Sequence, residues 1–165
     1  MTPEPAQETC LLFHKDMTPG HSTTGPTLMV ERDEMIDFAK RWEPMPFDVD
    51  DAAGVAAFGS LTTPGVFVLA LKQRLAHQLP QAHDLIASLG YDDARLHEPV
   101  RPNDRSYLKF ECVAKRDSRS KPDRGAVTKR LPLIHQAGTT VTNHLDGILV
   151  RRRQSLGIEK RQHDA

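Results

Sequence analysis

LTTPGVFVLALKQRLAHQL, residues 61–79, is the stretch on which the fold turns. Thr63 suits a helix N-cap, and Pro64 suits the first helical position, where a backbone N–H has no intrahelical acceptor to lose. Val66 to Leu71 are all apolar, and KQRLAHQL continues with good helix formers. The pattern predicts one long helix from about Pro64 to Leu79, with β-branched Val66 and Val68 leaving a local strand as the alternative. A helix apolar all round its first turns has to be wrapped by other structure.

The flanking sequence supplies the wrapping. Upstream, Thr27 to Val30 reads as a short strand. From Glu31 the spacing of Met35, Ile36, Phe38, Ala39 and Trp42 fits one face of a helix that ends before Pro44. Downstream, Asp93 to Val100 leads into a turn, Arg101-Pro102-Asn103-Asp104. Tyr107 to Ala114 then alternates, with Leu108, Phe110, Cys112 and Ala114 on one face. A charged loop, KRDSRSKPDRG, leads to Ala126–His135, where Val127, Leu131 and Leu133 share a face and Pro132 argues for an edge or a bulge. Gln136-Ala137-Gly138 turns the chain into a last strand ending near Val150. The expectation is an α+β domain, a curved antiparallel sheet around a long central helix, over residues 13–153. Residues 1–12 and 154–165 read as a flexible N-terminus and a flexible C-terminal tail.

Composition narrows the function classes. The chain has 165 residues, long enough for a proper core, and 22 basic side chains balance 22 acidic ones. No net field argues for nucleic acid as a partner. Cys10 and Cys112 do not make a disulfide framework. MTPEPAQETC has no basic n-region, and no run approaches the roughly 18 apolar residues of a membrane span. The expectation is a soluble, cytoplasmic protein with no membrane partner.

Chemistry concentrates in WEPMPFDVDDAAG, residues 42–54, where Glu43 and Asp48 flank Pro44 and Pro46. The prolines make this rigid, irregular chain. Two carboxylates on a rigid loop can form a reactive site. The plainer reading is a helix exit followed by the acidic start of the next helix, with Asp50 or Asp51 capping DAAGVAAFG.

From about Phe13 to Arg153 the sequence resembles the MaoC-like acyl dehydratase and (R)-specific enoyl-CoA hydratase family, whose fold is the hotdog. FHKDMTPG resembles its opening segment, MIDFAKRWEPMPFDVDDAA its helix and catalytic loop, and FGSLTTPG the entry to its central helix. EPVRPND resembles its Pro-Val-x-Pro-Gly-Asp turn, and RDSRSKPDRG its later charged loop. The family's catalytic Asp, and the His five positions on, correspond to Glu43 and Asp48 here. A residue that is often His just before the central Gly is Pro64, and a common hydroxyl position eight residues after that Gly is Gln73. The resemblance implies an acyl thioester substrate carried on coenzyme A or an acyl-carrier protein, no further cofactor, and edge-to-edge pairing into a homodimer or higher even oligomer.

Hydration of an enoyl thioester needs a base for water, an acid for C2 and donors for an enolate-like oxygen. Glu43 and Asp48 can share a proton as the acid/base pair. The N–H groups of Gly65 and Val66, in the first turn of the central helix, can form the oxyanion hole, although Pro64-Gly65 can also simply start a buried helix. Two other readings stand: a hotdog thioesterase using one carboxylate against the helix N-terminus, and a catalytically silent subunit that only binds acyl thioesters. His97 can enter the pocket in place of the missing imidazole, the plainer reading being a hydrogen-bonded structural histidine. His77, His83, His135 and His144 show no HxH or HExxH spacing, so no metal site is expected. Arg119, Lys121 and Arg124 can contact the phosphates of coenzyme A or simply form a solvated hairpin; Arg151–Arg153 can serve the same purpose or bind any anion, the plainer reading being a solvated strand end.

Overall fold

A computed structural model of the protein describes residues 10–153; the expectations for residues 1–9 and 154–165 lie outside that span. Within it the chain begins earlier than Phe13, with β1 (Cys10–Leu12) and a single 3-10 turn at His14–Asp16 before β2 (Ser22–Met29). Helix α1 (Arg32–Trp42) follows, with Asp33 and Glu34 in its first turn and Lys40 and Arg41 in its last, the arrangement its dipole favours. It buries Met35, Ile36 and Ala39 as their spacing predicts. Trp42, expected on that face, is 65% exposed at the last helical position, with the Arg41 guanidinium 5.4 Å from its ring.

The proline-flanked loop is less irregular than its composition suggests. Pro46 occupies the first position of one helical turn, α2 (Pro46–Val49), where a missing N–H does no harm. The Asp50 carboxylate accepts from the Ala53 N–H at 2.9 Å and caps α3 (Asp51–Phe58), which ends at Gly59 with φ 76°.

The central helix α4 (Gly65–Ala76) is shorter than predicted at both ends. Pro64 is the N-cap, one residue later than Thr63, and the Thr63 side chain makes no capping bond. At the other end Leu79 precedes Pro80 and is disfavoured in helical geometry, so the chain turns at His77, whose N–H donates to Gln73 O. Phe67, Val68, Leu71 and Leu75 face the core. The wrapping is incomplete, because Val66 and Ala70 lie exposed on the opposite face.

The strands then run β3 (Gln81–His83), β4 (Leu85–Leu96), β5 (Arg105–Asp117), β6 (Arg124–Arg130), β7 (Leu133–His135) and β8 (Thr140–Arg151). The main sheet is antiparallel with the order β2-β5-β6-β8-β4, and β7 succeeds β6 between β5 and β8. β1 pairs β3 in parallel as a separate two-stranded sheet. Pro132 sits in the break between β6 and β7, where it needs no ladder N–H and its carbonyl accepts from the Lys109 N–H at 3.1 Å. On β5 Leu108, Phe110 and Cys112 reach the core, while Ala114 lies beyond it and is exposed. The sheet packs these and Val127, Leu131, Leu133, Ile148 and Val150 against α4, the α+β arrangement the pattern implied. Strand β4 closes one side of the sheet and leaves its outer edge open, with Leu89, Tyr91 and Leu96 about half exposed.

The chain after β4 runs past Pro99 into the turn Arg101–Asp104. Asn103 takes φ 66°, a left-handed conformation that asparagine tolerates, at the position where the resembling pattern has glycine. Its N–H donates to Val30 O at 2.9 Å while the Val30 N–H donates to Asp104 O at 2.8 Å, which ties the turn to the start of α1.

Candidate functional site

Three chain segments meet at the N-terminus of α4. The first is the exit of α1, where the Glu43 N–H closes the helix on Ala39 O at 2.9 Å and Pro44 prevents continuation. The second is α2, which turns Asp48 inward until it is 2% exposed. The third is Leu61–Pro64, whose Thr62 hydroxyl donates to Asp48 Oδ1 at 2.7 Å. The backbone joins the last two, with the Thr62 N–H 3.4 Å from Phe47 O. Phe47 and Phe58 meet edge to face at 5.1 Å beside them.

Burial pushes the Asp48 carboxyl above the usual range, the Thr62 hydrogen bond pulls it partly back, and the nearby Glu43 charge pushes it up again. Glu43 is exposed at the mouth of the same cavity. That cavity, about 270 Å³, is lined by both carboxylates together with Thr62, Thr63 and Gly65. Val66 lines an adjoining hollow of about 430 Å³ with Glu43, Gly65 and Leu96.

The helix end supplies donors. The N–H groups of Phe67 and Val68 both bond to Pro64 O, at 2.9 and 3.3 Å. Those of Gly65 and Val66 precede them and have no backbone acceptor among the described residues. Gly65 allows close approach: a Cβ there would lie 2.6 Å from Leu96 Cδ1, so the leucine side chain rests on the glycine. Thr63 Oγ1 is buried in the cavity wall with no partner. The sequence reading missed it by assigning Thr63 to capping; the one-residue shift of the helix start frees that hydroxyl.

The remaining candidates separate. His97 lines a side hollow with Thr63 and Gly65 and is exposed, with its backbone N–H held by Val141 O at 2.8 Å. Arg119, Lys121 and Arg124 lie in or beside the β5–β6 hairpin, where Arg124 is held by the Asp123 carboxylate through two 2.8 Å bonds. Arg124 pairs with Arg151, whereas Thr142, at the other end of β8, borders the hollow with Gly65. That is about 30 Å along the strand, so within one protomer the hairpin and the cavity are not brought together. Arg151, Arg152 and Arg153 pair with Asp84, Asp117 and Asp16. His135 Nε2 lies 3.2 Å from Asp104 Oδ1, a structural contact. Among the described residues no group of His, Cys, Asp and Glu could hold a metal ion, and no helix is long and apolar enough to cross a membrane.

Known proteins share this fold. The family model described as a MaoC like domain matches residues 15–132. A MaoC-like dehydratase from Rhodospirillum rubrum superposes with a TM-score of 0.80 at 26% identity, over 87% of this chain and 99% of that one. An (R)-hydratase from Pseudomonas aeruginosa, in the unliganded form, superposes at 0.67 and 19% identity over 86% of each chain. A double-hotdog protein from Mycobacterium tuberculosis gives 0.70 at 16% identity, over 87% of this chain and 45% of that one, a likeness of fold. No curated protein matches the sequence.

Proposed function

The chain belongs to the MaoC-like domain family, and from that premise we propose that it catalyses reversible hydration of an enoyl thioester to a 3-hydroxyacyl thioester. The observation that carries the reading is the single cavity bordered by Glu43, Asp48 and Gly65. In the hydration direction Glu43, exposed and carboxylate-shaped for the task, takes a proton from water as its oxygen bonds to C3. Asp48, whose burial favours the neutral form, gives a proton to C2. Because Thr62 donates to Oδ1, the transferable proton sits on Oδ2. The thioester oxygen gathers negative charge and is held by the Gly65 and Val66 N–H groups at the positive end of α4. One carboxyl ends protonated and the other ionised, and exchange with solvent through the mouth at Glu43 restores the pair.

A two-fold homodimer belongs to the same proposal. Val66 and the Leu96 end of β4 line one hollow beside the open edge of that strand, and an unpaired edge of this length is an aggregation hazard that a second copy removes. Antiparallel pairing of two β4 strands sets the Leu85 end of one beside the Leu96 end of the other. It thereby carries one protomer's basic hairpin toward its partner's cavity. In that assembly Arg119 and Lys121 can reach the phosphates of a coenzyme A thioester, which they cannot do within one chain.

The test is incubation with a panel of enoyl, hydroxyacyl and saturated acyl thioesters, following hydration and free thiol release separately. Hydration without thiol release supports the proposal. Thiol release from saturated thioesters makes the protein a thioesterase, and binding without either reaction makes it a silent acyl-thioester subunit.

A further inference from the structure

Two lysines, Lys72 fully buried and Lys129 with its side chain 12% exposed, share one carboxylate in this fold. Lys72 is fully buried, with Nζ 2.9 Å from His144 Nε2, 3.5 Å from Asp146 Oδ2 and 4.6 Å from the centre of the Tyr91 ring. Lys129 Nζ lies 3.5 Å from the same Asp146 oxygen. His144 Nε2 is 3.1 Å from Asp146 Oδ1. With both lysines charged, the cluster carries one positive charge more than it can pair, and a buried unpaired charge is strongly unfavourable. Either a lysine gives up its proton or an anion completes the set. Burial does push both lysines down, and the Asp146 charge pulls them back up.

Lys129 is placed to take the second course, because it also borders a cavity of about 150 Å³. Gln73, His77, Gln81 and His83 supply the other polar walls, and no acidic side chain among the described residues lines it. Each of these residues can donate a hydrogen bond. His83 Nε2 is buried with no partner. The Gln81 carbonyl oxygen is taken by His21 Nε2 at 3.2 Å, which leaves its NH2 for the cavity. Burial and the Lys129 charge lower the His83 pKa to about 4, so near neutral pH its ring is an uncharged donor beside a cation. The C-terminus of α4 opposes an anion with about half an elementary charge, against a whole one on Lys129.

The geometry points to a second site in this protein, a pocket at the C-terminal end of α4 in which Lys129 and His83 hold a small oxyanion of the carboxylate or phosphate class. Gln73 lies about 12 Å along the helix axis from Gly65, so this pocket is separate from the cavity of the two carboxylates. The inference does not rest on the hydratase reading. The volume equals about five waters of bulk liquid, room for acetate or phosphate.

The experiment is titration of the intact protein with acetate and with inorganic phosphate at fixed ionic strength, following the histidine ring signals by NMR. A saturable shift of His83, with its pKa rising as the anion is added, is the expected result. Lys129→Met leaves Lys72 and Asp146 balanced and should weaken the affinity by about tenfold or more. Shifts that stay linear with added anion, or an unchanged affinity in Lys129→Met, overturn the site. Should Lys129→Met not fold, His83→Phe keeps the ring contact with Phe110, now at 5.2 Å. Calorimetry should then show acetate binding about tenfold weaker, and equal binding overturns the site. Competition of acetate by succinyl-coenzyme A but not butyryl-coenzyme A makes the occupant a carboxylate on a thioester, whereas no competition makes it a free anion. Binding is read without turnover, so a failure here leaves the hydratase assay untouched, and the reverse.

Discussion

Thr62 Oγ1 donates to Asp48 Oδ1 at 2.7 Å in a buried contact that joins the turn of α2 to the entry of α4. One hydrogen bond does not offset the burial of a carboxylate, whose pKa stays above its ordinary 3.8. The folded state therefore holds the Asp48 proton more tightly than the unfolded chain does. Stability contributed by that proton is present in acid and is lost as pH rises from about the unfolded value through the raised folded one. Asp48→Asn removes the ionisation and keeps an oxygen for Thr62. The variant should be at least as stable as the parent near neutral pH and lose this advantage in acid. Denaturant unfolding at two pH values checks it; a clear loss of stability at neutral pH would mean that the carboxylate is structural.

Much of this was legible in the residues. The spacing of Met35, Ile36 and Ala39 and the alternation of Leu108, Phe110 and Cys112 are local patterns set by burial on one face, and the structure keeps both. The Asp50 cap and the break at Pro132 follow from local backbone chemistry. Illegible were features made by distant chain. Nothing near Lys72 announces a buried ammonium, because Asp146 and His144 arrive on β8. The free Thr63 hydroxyl depended on where α4 begins, and helix ends are set within a residue or two by competing caps. The exposed face of Val66 and Ala70 is apolar in sequence and reads as core, since periodicity cannot say whether a second chain supplies the cover.

Gly54 gives a test of how the site is braced. A Cβ at this position would lie 2.7 Å from Leu61 Cα and 2.8 Å from Leu61 N, both backbone atoms that cannot rotate away. Gly54→Ala must push α3 from the segment that carries Thr62. The expected loss is about 1–3 kcal/mol, read as a lowered melting temperature, despite the better helix propensity of alanine. A melting temperature equal to or above the parent's would show that the contact relaxes freely.

Val66 and Val68 stand two residues apart on α4 and should answer opposite questions. Val68 is 3% exposed and faces the sheet, so Val68→Asp buries an unpaired charge and should prevent folding. Val66 is 49% exposed, so Val66→Asp should fold, and should shift a dimer toward monomer if that face pairs with a second copy. Sedimentation of both the parent and Val66→Asp decides. A parent that is a stable monomer at micromolar concentration ends the dimer proposal.

Buried His14 and half-buried His83 should make the fold acid-sensitive. Burial, with the Lys129 charge, lowers His83 to about 4, and burial also lowers His14, whose ring lies where a side chain on Gly125 would go. Both are therefore protonated more readily in the unfolded chain. The stabilising contribution of each is present above pH 6.5 and is lost as pH falls, for His83 toward 4 and on the order of 3 kcal/mol. His83→Phe should flatten that part of the stability profile. An unchanged slope in the variant would assign the acid sensitivity to other groups.

The last prediction concerns the pair itself. If Glu43 and Asp48 act as one acid/base unit, then Glu43→Gln and Asp48→Asn should each abolish hydration while leaving thioester binding nearly intact. An amide keeps the shape but can neither accept nor deliver the proton. The double variant should be little worse than either single one, because groups that act as a unit lose their effect together. Independent losses that multiply in the double variant would mean that the carboxylates serve separate steps. Asp48→His is the sharper probe, since it places an imidazole five residues after Glu43, the arrangement the family pattern carries. An active parent should lose activity or change its pH profile, because an acid poised by burial is replaced by one that titrates near neutrality. A silent parent that gains hydration on Asp48→His would show a competent cleft, with Gly65 and Glu43 in working order, held off by this one side chain. Full activity in Asp48→Asn would place the proton donor elsewhere. The next residue to change would then be His97, which borders the same helix end as Gly65.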